Sequence, residues 1–156
     1  MTTRDQPLLE REHELGVIDR QLTDACAGSG SLLVIEGPAG IGKTALLRAA
    51  MDMGRERGMN VVYGRGGVLE QQIDYGVVRQ MLEKAVLNTD EARREELFAG
   101  PAAPAASVLG LGEMPADAGP GRDPAENILH GLYWLMANLA EEGPMLAIFD
   151  LSLIHI

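Results

Sequence analysis

Gly37-Pro38-Ala39-Gly40-Ile41-Gly42-Lys43-Thr44 follows the pattern G-x-x-x-x-G-K-S/T, whose residue types suit the holding of a polyphosphate. Such a loop wraps anionic oxygens with successive backbone N–H groups, so the chain must turn tightly and approach its ligand closely. Gly37, Gly40 and Gly42 lack the Cβ that would obstruct either. Pro38 fixes one backbone angle and withholds a donor where neighbouring N–H groups are committed to the ligand. A helix opening at Gly42-Lys43 turns its unpaired N–H groups and positive dipole end, about half a charge, toward the same anion. Gly37 through Ala45 is therefore the expected phosphate-binding stretch. Lys43 brings a mobile cation to the β- and γ-phosphates and is the expected catalytic group. The Thr44 hydroxyl is placed to ligate Mg²⁺. The chemistry these residues imply is binding of a nucleoside triphosphate, ATP with Mg²⁺.

The flanks supply the context that the motif requires. Ser31-Leu32-Leu33-Val34-Ile35 is an apolar run with β-branched content, suited to a buried parallel strand. Ala45–Met51 is rich in strong helix formers, and basic Arg55 and Arg57 followed by Gly58 end that helix. Upstream, Leu15, Ile18, Leu22 and Cys26 recur at helical spacing between Glu10 and Ala27, which reads Cys26 as a small core residue. Gly28-Ser29-Gly30 turns that helix into the strand.

Downstream, Asn60–Tyr63 reads as a second strand, with Arg65 just past it able to face the phosphates but more often a surface charge at such a place. A helix follows over about 75–87, with Asp74 as N-cap and Val78, Met81, Leu82 and Ala85 facing inward. Residues 100–122 are dominated by Ala, Pro and Gly and are expected to form a flexible loop. Asp123-Pro124-Ala125-Glu126 is a strong helix start, with Asp at N-cap, Pro at N1 and Glu at N3. The helix it opens carries Ile128, Leu132, Leu135, Met136 and Leu139 on one face, with Trp134 and Tyr133 read as core and rim residues.

Met145–Phe149 reads as a third buried strand, closing on Asp150. An apolar strand ending in an acid downstream of a phosphate loop is a second functional signal. The Asp150 carboxylate is placed to support Mg²⁺, which favours one or two carboxylates and keeps several waters. Alone the signal is weak, since Asp ends many strands because it favours turns.

Composition narrows the partners. At 156 residues the chain can form one domain, 1–150, with a sizeable core, and 46% hydrophobic against 4% aromatic content makes that core aliphatic. The net charge of −10 argues against direct contact with nucleic acid or an anionic membrane. A lone Cys26 suits a reducing, cytoplasmic setting, and His13, His130 and His155 are too scattered to bind a metal. Met1–Pro7 is too polar for a signal peptide, and nothing approaches the roughly 20 apolar residues of a membrane span.

Three segments together resemble a family. Leu8-Leu9-Glu10-Arg11-Glu12-His13-Glu14-Leu15 is similar to the opening "GRExEL" of bacterial AAA-like, STAND-class ATPases, with Glu10 where the family has glycine. Gly37–Thr44 with Ala45-Leu46-Leu47 resembles their phosphate loop, and Leu146–Asp150 the start of their "hhhhDD" Walker B strand. Residues 8–150 look like the N-terminal part of the ATPase domain of large ATP-binding LuxR-family transcriptional regulators. The resemblance implies an α/β fold, the P-loop NTPase three-layer sandwich with strand order 5-1-4-3-2. It also implies a signalling switch that self-associates with nucleotide, and Arg11 and Glu12 near the adenine.

The pattern breaks after Asp150. The family continues with a second acid, which polarises the attacking water, and then His-Trp-Ala-Asp; here Leu151-Ser152-Leu153-Ile154-His155-Ile156 follows. Residues 151–156 resemble translated transposase-adaptor sequence and are expected to be non-native, leaving a truncated sheet without its later strands. The first strand would then lack its neighbours and leave backbone groups unpaired. Two other readings stay open: a nucleotide-binding interaction module that does not hydrolyse, and a small P-loop kinase. The lack of Arg or Lys over 100–121, where a kinase lid would need them, counts against the kinase.

Overall fold

Two apolar segments, β1 (Asn60–Arg65) and β2 (Met145–Asp150), pair as parallel strands and form the centre of a computed structural model describing residues 11–67, 74–112 and 123–151. Asn60 stands opposite Met145 and Arg65 opposite Asp150. A parallel pair needs a long crossover. Here it comprises α3 (Gly76–Leu87), α4 (Glu91–Leu97), a 3-10 turn (Gly100–Ala102), α5 (Ala105–Val108) and α6 (Pro124–Ala140). Ahead of the sheet come α1 (Glu12–Cys26) and α2 (Lys43–Glu56).

Strand periodicity of two sorts the core into two clusters on opposite faces. Val62, Met145 and Ala147 pack toward Met81, Leu82, Val86, Leu97, Ile128 and Leu135 of the crossover helices. Val61, Tyr63, Leu146 and Ile148 pack toward Ile18, Leu22, Leu46 and Ala50 of α1 and α2. Helices thus cover both faces of a short parallel sheet, the α/β class expected. Helix α2 lies close on this sheet because Gly54 has no side chain: a Cβ there would stand 2.8 Å from Leu146 Cδ2.

The helix starts follow their local chemistry. Asp123 caps α6 by accepting from Ala125 N at 2.9 Å, with Pro124 in the first turn as anticipated. Asp90 caps α4, a helix the sequence reading did not include, by accepting from Arg93 N at 2.8 Å. Asp74 does not cap α3. Tyr75 holds that position in left-handed backbone at φ 60 with no side-chain cap bond, so Asp74 lies one residue too early.

Four further expectations need correction. Residues 31–35 do not form the buried parallel strand: among the described residues no ladder reaches them, and Leu32 and Val34 are 88% and 65% exposed. A strand is defined by its neighbours, and β1 and β2 pair with each other instead. The expected flexible loop over 100–122 is helical through 100–102 and 105–108, where small side chains let the backbone pack closely and Ala102, Ala105 and Val108 are buried against α6. Cys26 ends α1 beyond the core edge and is exposed. Trp134 and Tyr133 are exposed too, because Ile128, Leu132, Leu135 and Leu139 occupy the inward face of α6. Their rings meet edge to face, and Trp134 Nε1 donates to His130 Nε2 at 3.1 Å. Phe149 of β2 also points outward. The expectations for residues 1–10, 113–122 and 152–156, including Glu10 and the tail beyond Leu151, lie outside the described residues.

Candidate functional site

The phosphate-loop sequence builds its turn from two glycines in left-handed backbone, Gly40 at φ 79 and Gly42 at φ 95. A side chain at either would be strained, which is why glycine recurs there. Gly42 is the N-cap of α2, and its carbonyl accepts from Ala45 N at 3.0 Å and Leu46 N at 3.1 Å. Among the described residues, the N–H groups of Gly40, Gly42, Lys43 and Thr44 take no backbone acceptor. These donors sit at the positive end of a 14-residue helix, an arrangement suited to an anion.

Lys43 folds back over the loop. Its Nζ donates to Gly37 O at 2.6 Å and Pro38 O at 3.0 Å, so the ammonium stands at the mouth of the turn. Arg11, at the N-cap of α1, pairs with Glu14 and donates through Nη2 to Ile41 O at 2.8 Å. That bond ties α1 to the loop apex. The Arg11 guanidinium holds the Glu14 carboxyl below its ordinary range. Arg11, Glu36, Ile41 and Lys43 share the wall of a cavity of about 270 Å³ with apolar Val17 and Leu33. Neither Thr44 nor Asp150 lines it; it lies on the α1 side of the loop.

On the sheet side, strand alternation collects a second group. Residues 61, 63 and 65 of β1 and 146, 148 and 150 of β2 share the face that meets α2, so Tyr63, Arg65 and Asp150 converge below Thr44. Asp150 is 0% exposed. Its Oδ2 accepts from Thr44 Oγ1 at 3.1 Å and from the Tyr63 hydroxyl at 3.3 Å, with Arg65 Nε 4.0 Å away. Burial, and then the Asp150 charge, push the Tyr63 hydroxyl above its ordinary range, while Arg65 pulls the other way. Tyr63 therefore stays a protonated donor at neutral pH.

Thr44 and Asp150 are 106 residues apart in sequence and in hydrogen-bond contact in space. A hydroxyl and a carboxylate are hard oxygen donors of the kind Mg²⁺ takes, and the ion completes its shell with water and phosphate oxygens. Among the described residues no group of three or more His, Cys, Asp or Glu can hold a metal. The residues present thus fit a nucleotide-borne Mg²⁺ better than a protein-caged ion. Sequence reasoning missed Tyr63, read as a plain strand residue, and set Arg65 aside as a surface charge. Only the register of β1 against β2 brings them to Asp150, and pairing is not written in either strand alone.

The chain belongs to the AAA ATPase domain family, whose profile matches residues 7–151. The assignment implies nucleotide binding and ATPase chemistry, with use of ATP and Mg²⁺. An uncharacterized protein of Rhizobium meliloti (strain 1021) is 50% identical over 42 residues, covering 27% of this chain and 4% of that protein. The chain therefore matches only a small part of that relative's length. No solved structure matches the chain. Among the described residues no helix is long and apolar enough to cross a membrane.

Proposed function

We propose that this domain binds ATP with Mg²⁺ as the switch of a signalling ATPase, a STAND-class module of a LuxR-family transcriptional regulator. The observation that carries the reading is the Thr44–Asp150 bond, which joins the end of the phosphate loop to the end of β2. In this reading the loop from Gly37 to Ala45 holds the phosphates, chiefly through the N–H groups of Gly40, Gly42, Lys43 and Thr44, and Lys43 leaves its two carbonyls to reach the β- and γ-phosphates. Thr44 and Asp150 hold the metal, and Arg11 stands where the base enters the cavity. The bound metal would supply charge neutralisation on the phosphates. The chain's own residues position them and exclude other geometries. The domain works in the cytoplasm, self-associates with nucleotide bound, and makes no direct contact with nucleic acid, which its net charge of −10 would repel.

A second reading, binding without hydrolysis, is favoured by Leu151, which stands beside Asp150 where the resembling family has its water-polarising acid. Equilibrium titration with ATP and Mg²⁺, beside a phosphate-release assay, tests both readings. Saturable binding with release supports the first, and binding with no release supports the second. No binding up to millimolar nucleotide overturns the phosphate-loop assignment itself.

A further inference from the structure

Among the described residues the Asp150 carboxylate meets Thr44 of the phosphate-loop helix and also Tyr63 and Arg65 of β1. Its backbone is fixed first: Gly66 N donates to Asp150 O at 2.8 Å, extending the β1–β2 ladder past Arg65. The end of β1 is fixed in turn by Gln80 of α3, whose Oε1 accepts from Arg65 N at 2.6 Å. With both main chains set, the side chains of Tyr63 and Arg65 project toward the carboxylate from the same strand face. Tyr63 and Thr44 donate to one oxygen, Oδ2, at distances longer than the usual 2.7–2.8 Å of hydroxyl bonds. Together these contacts orient the carboxylate toward Thr44.

We propose that Tyr63 is a positioning residue for this site: its hydroxyl, set by β1, keeps the Asp150 carboxylate turned toward Thr44 and so sets the Mg²⁺ dependence of nucleotide binding. The inference rests on the proposed ATP–Mg²⁺ reading and adds a residue to it. Outer partners of metal-supporting carboxylates fix orientation, and their removal typically costs 10- to 100-fold in metal affinity. Tyr63 is at the low end of that range because its bond is long and Thr44 shares the oxygen. Arg65, at 4.0 Å and on the exposed end of the strand, contributes charge more than direction.

The test is a Mg²⁺ titration of ADP binding to the full chain, wild type against Tyr63→Phe and Tyr63→Leu, with EDTA as the metal-free arm. Tyr63→Phe keeps the ring in the α1–α2 cluster and removes only the hydroxyl. The expected result is metal-free ADP affinity within twofold of wild type, while the Mg²⁺ concentration giving half-maximal tightening rises about tenfold. In the Asp150→Asn background Tyr63→Phe should add nothing. If Tyr63 served packing alone, Tyr63→Leu would be impaired and Tyr63→Phe would titrate like wild type; that outcome overturns the inference and leaves nucleotide binding standing. Wild-type protein that fails to bind ADP in either arm overturns both.

Discussion

Replacing Lys43 with alanine separates a structural lysine from a ligand-binding one, because the two roles differ in size here. In the free protein Lys43 Nζ bonds the carbonyls of Gly37 and Pro38 at 2.6 Å and 3.0 Å. Both residues are exposed, so water can take over their carbonyls in the variant. The stability change should be about 0.5 kcal/mol, the scale of an ordinary surface substitution. With triphosphate bound, the same nitrogen meets charged oxygens, and losing such a partner costs about 1.5–3 kcal/mol. At about 1.4 kcal/mol per decade, that weakens binding roughly 10- to 140-fold. The lower end is expected, since wild type must first break two carbonyl bonds and the variant need not. Calorimetric titration with a slowly hydrolysed ATP analogue and Mg²⁺ reads the first quantity, and denaturant unfolding of the free protein reads the second. A dissociation constant within about twofold of wild type would refute the phosphate role. A stability loss as large as the binding loss would recast the lysine as a brace of the loop.

Further outcomes follow from the packing and the ion pairs. Amides of residues 31–36 should exchange with solvent far faster than those of β1 and β2, because among the described residues no ladder covers them; slow exchange there would mean a paired strand. Glu14 should titrate below an ordinary glutamate by NMR, and Arg11→Ala should raise it back. The sign follows: the pair stabilises the fold above the unfolded-state pKa of Glu14 and loses that contribution as pH falls through the lowered folded value. An unchanged Glu14 titration in Arg11→Ala would show that the pair does not persist in solution. Leu135→Ala, at a fully buried position of α6, should cost about 2–5 kcal/mol on chemical unfolding. A cost below about 1 kcal/mol would mean that α6 does not pack on the crossover core.

Where local chemistry decides the structure, the sequence was legible. Asp123-Pro124 starts α6, Gly42 opens α2, and the inward residues of α6 follow from their spacing. Thr44 and Asp150, read as partners in one task, lie in hydrogen-bond contact. What was not legible depends on long-range pairing. The run 31–35 has strand composition, yet composition does not supply a neighbour. The Ala- and Pro-rich stretch around 100–108 reads as a loop, because small residues carry little periodic signal. Its burial comes from α6, where a Cβ on Gly131 would stand 2.8 Å from Ala105 N, so the close contact requires glycine on the α6 side. Tyr63 reached Asp150 only through register, which neither strand encodes by itself.

The phosphate loop is anchored unequally, and this should govern its affinity. Its C-terminal half continues into α2, where Leu46 and Ala50 are buried and Thr44 bonds the end of β2. Its N-terminal half follows residues 29–36, which have no ladder among the described residues; Ile35 packs on the α1–α2 cluster, and the ties to the loop are Lys43 to Gly37 O and Pro38 O and Arg11 to Ile41 O. Fixing the backbone of one residue costs about 1–2 kcal/mol, so ordering even three residues on binding would remove about 3–6 kcal/mol of affinity. Part of that cost can be taken away in advance without touching the ligand. Gly30 has no φ in the left-handed region, and a Cβ there would meet nothing within 4 Å. Gly30→Ala is therefore compatible with the observed backbone and narrows the states open to the segment before nucleotide binds, an effect worth about 0.4–1 kcal/mol. Nucleotide binding should tighten about two- to fivefold, through a substitution outside the loop. If affinity is unchanged and amide exchange of 31–36 does not slow on nucleotide binding, the ordering cost lies elsewhere in the chain. If affinity weakens, the segment adopts at Gly30 a backbone that alanine cannot follow, and the anchoring argument fails.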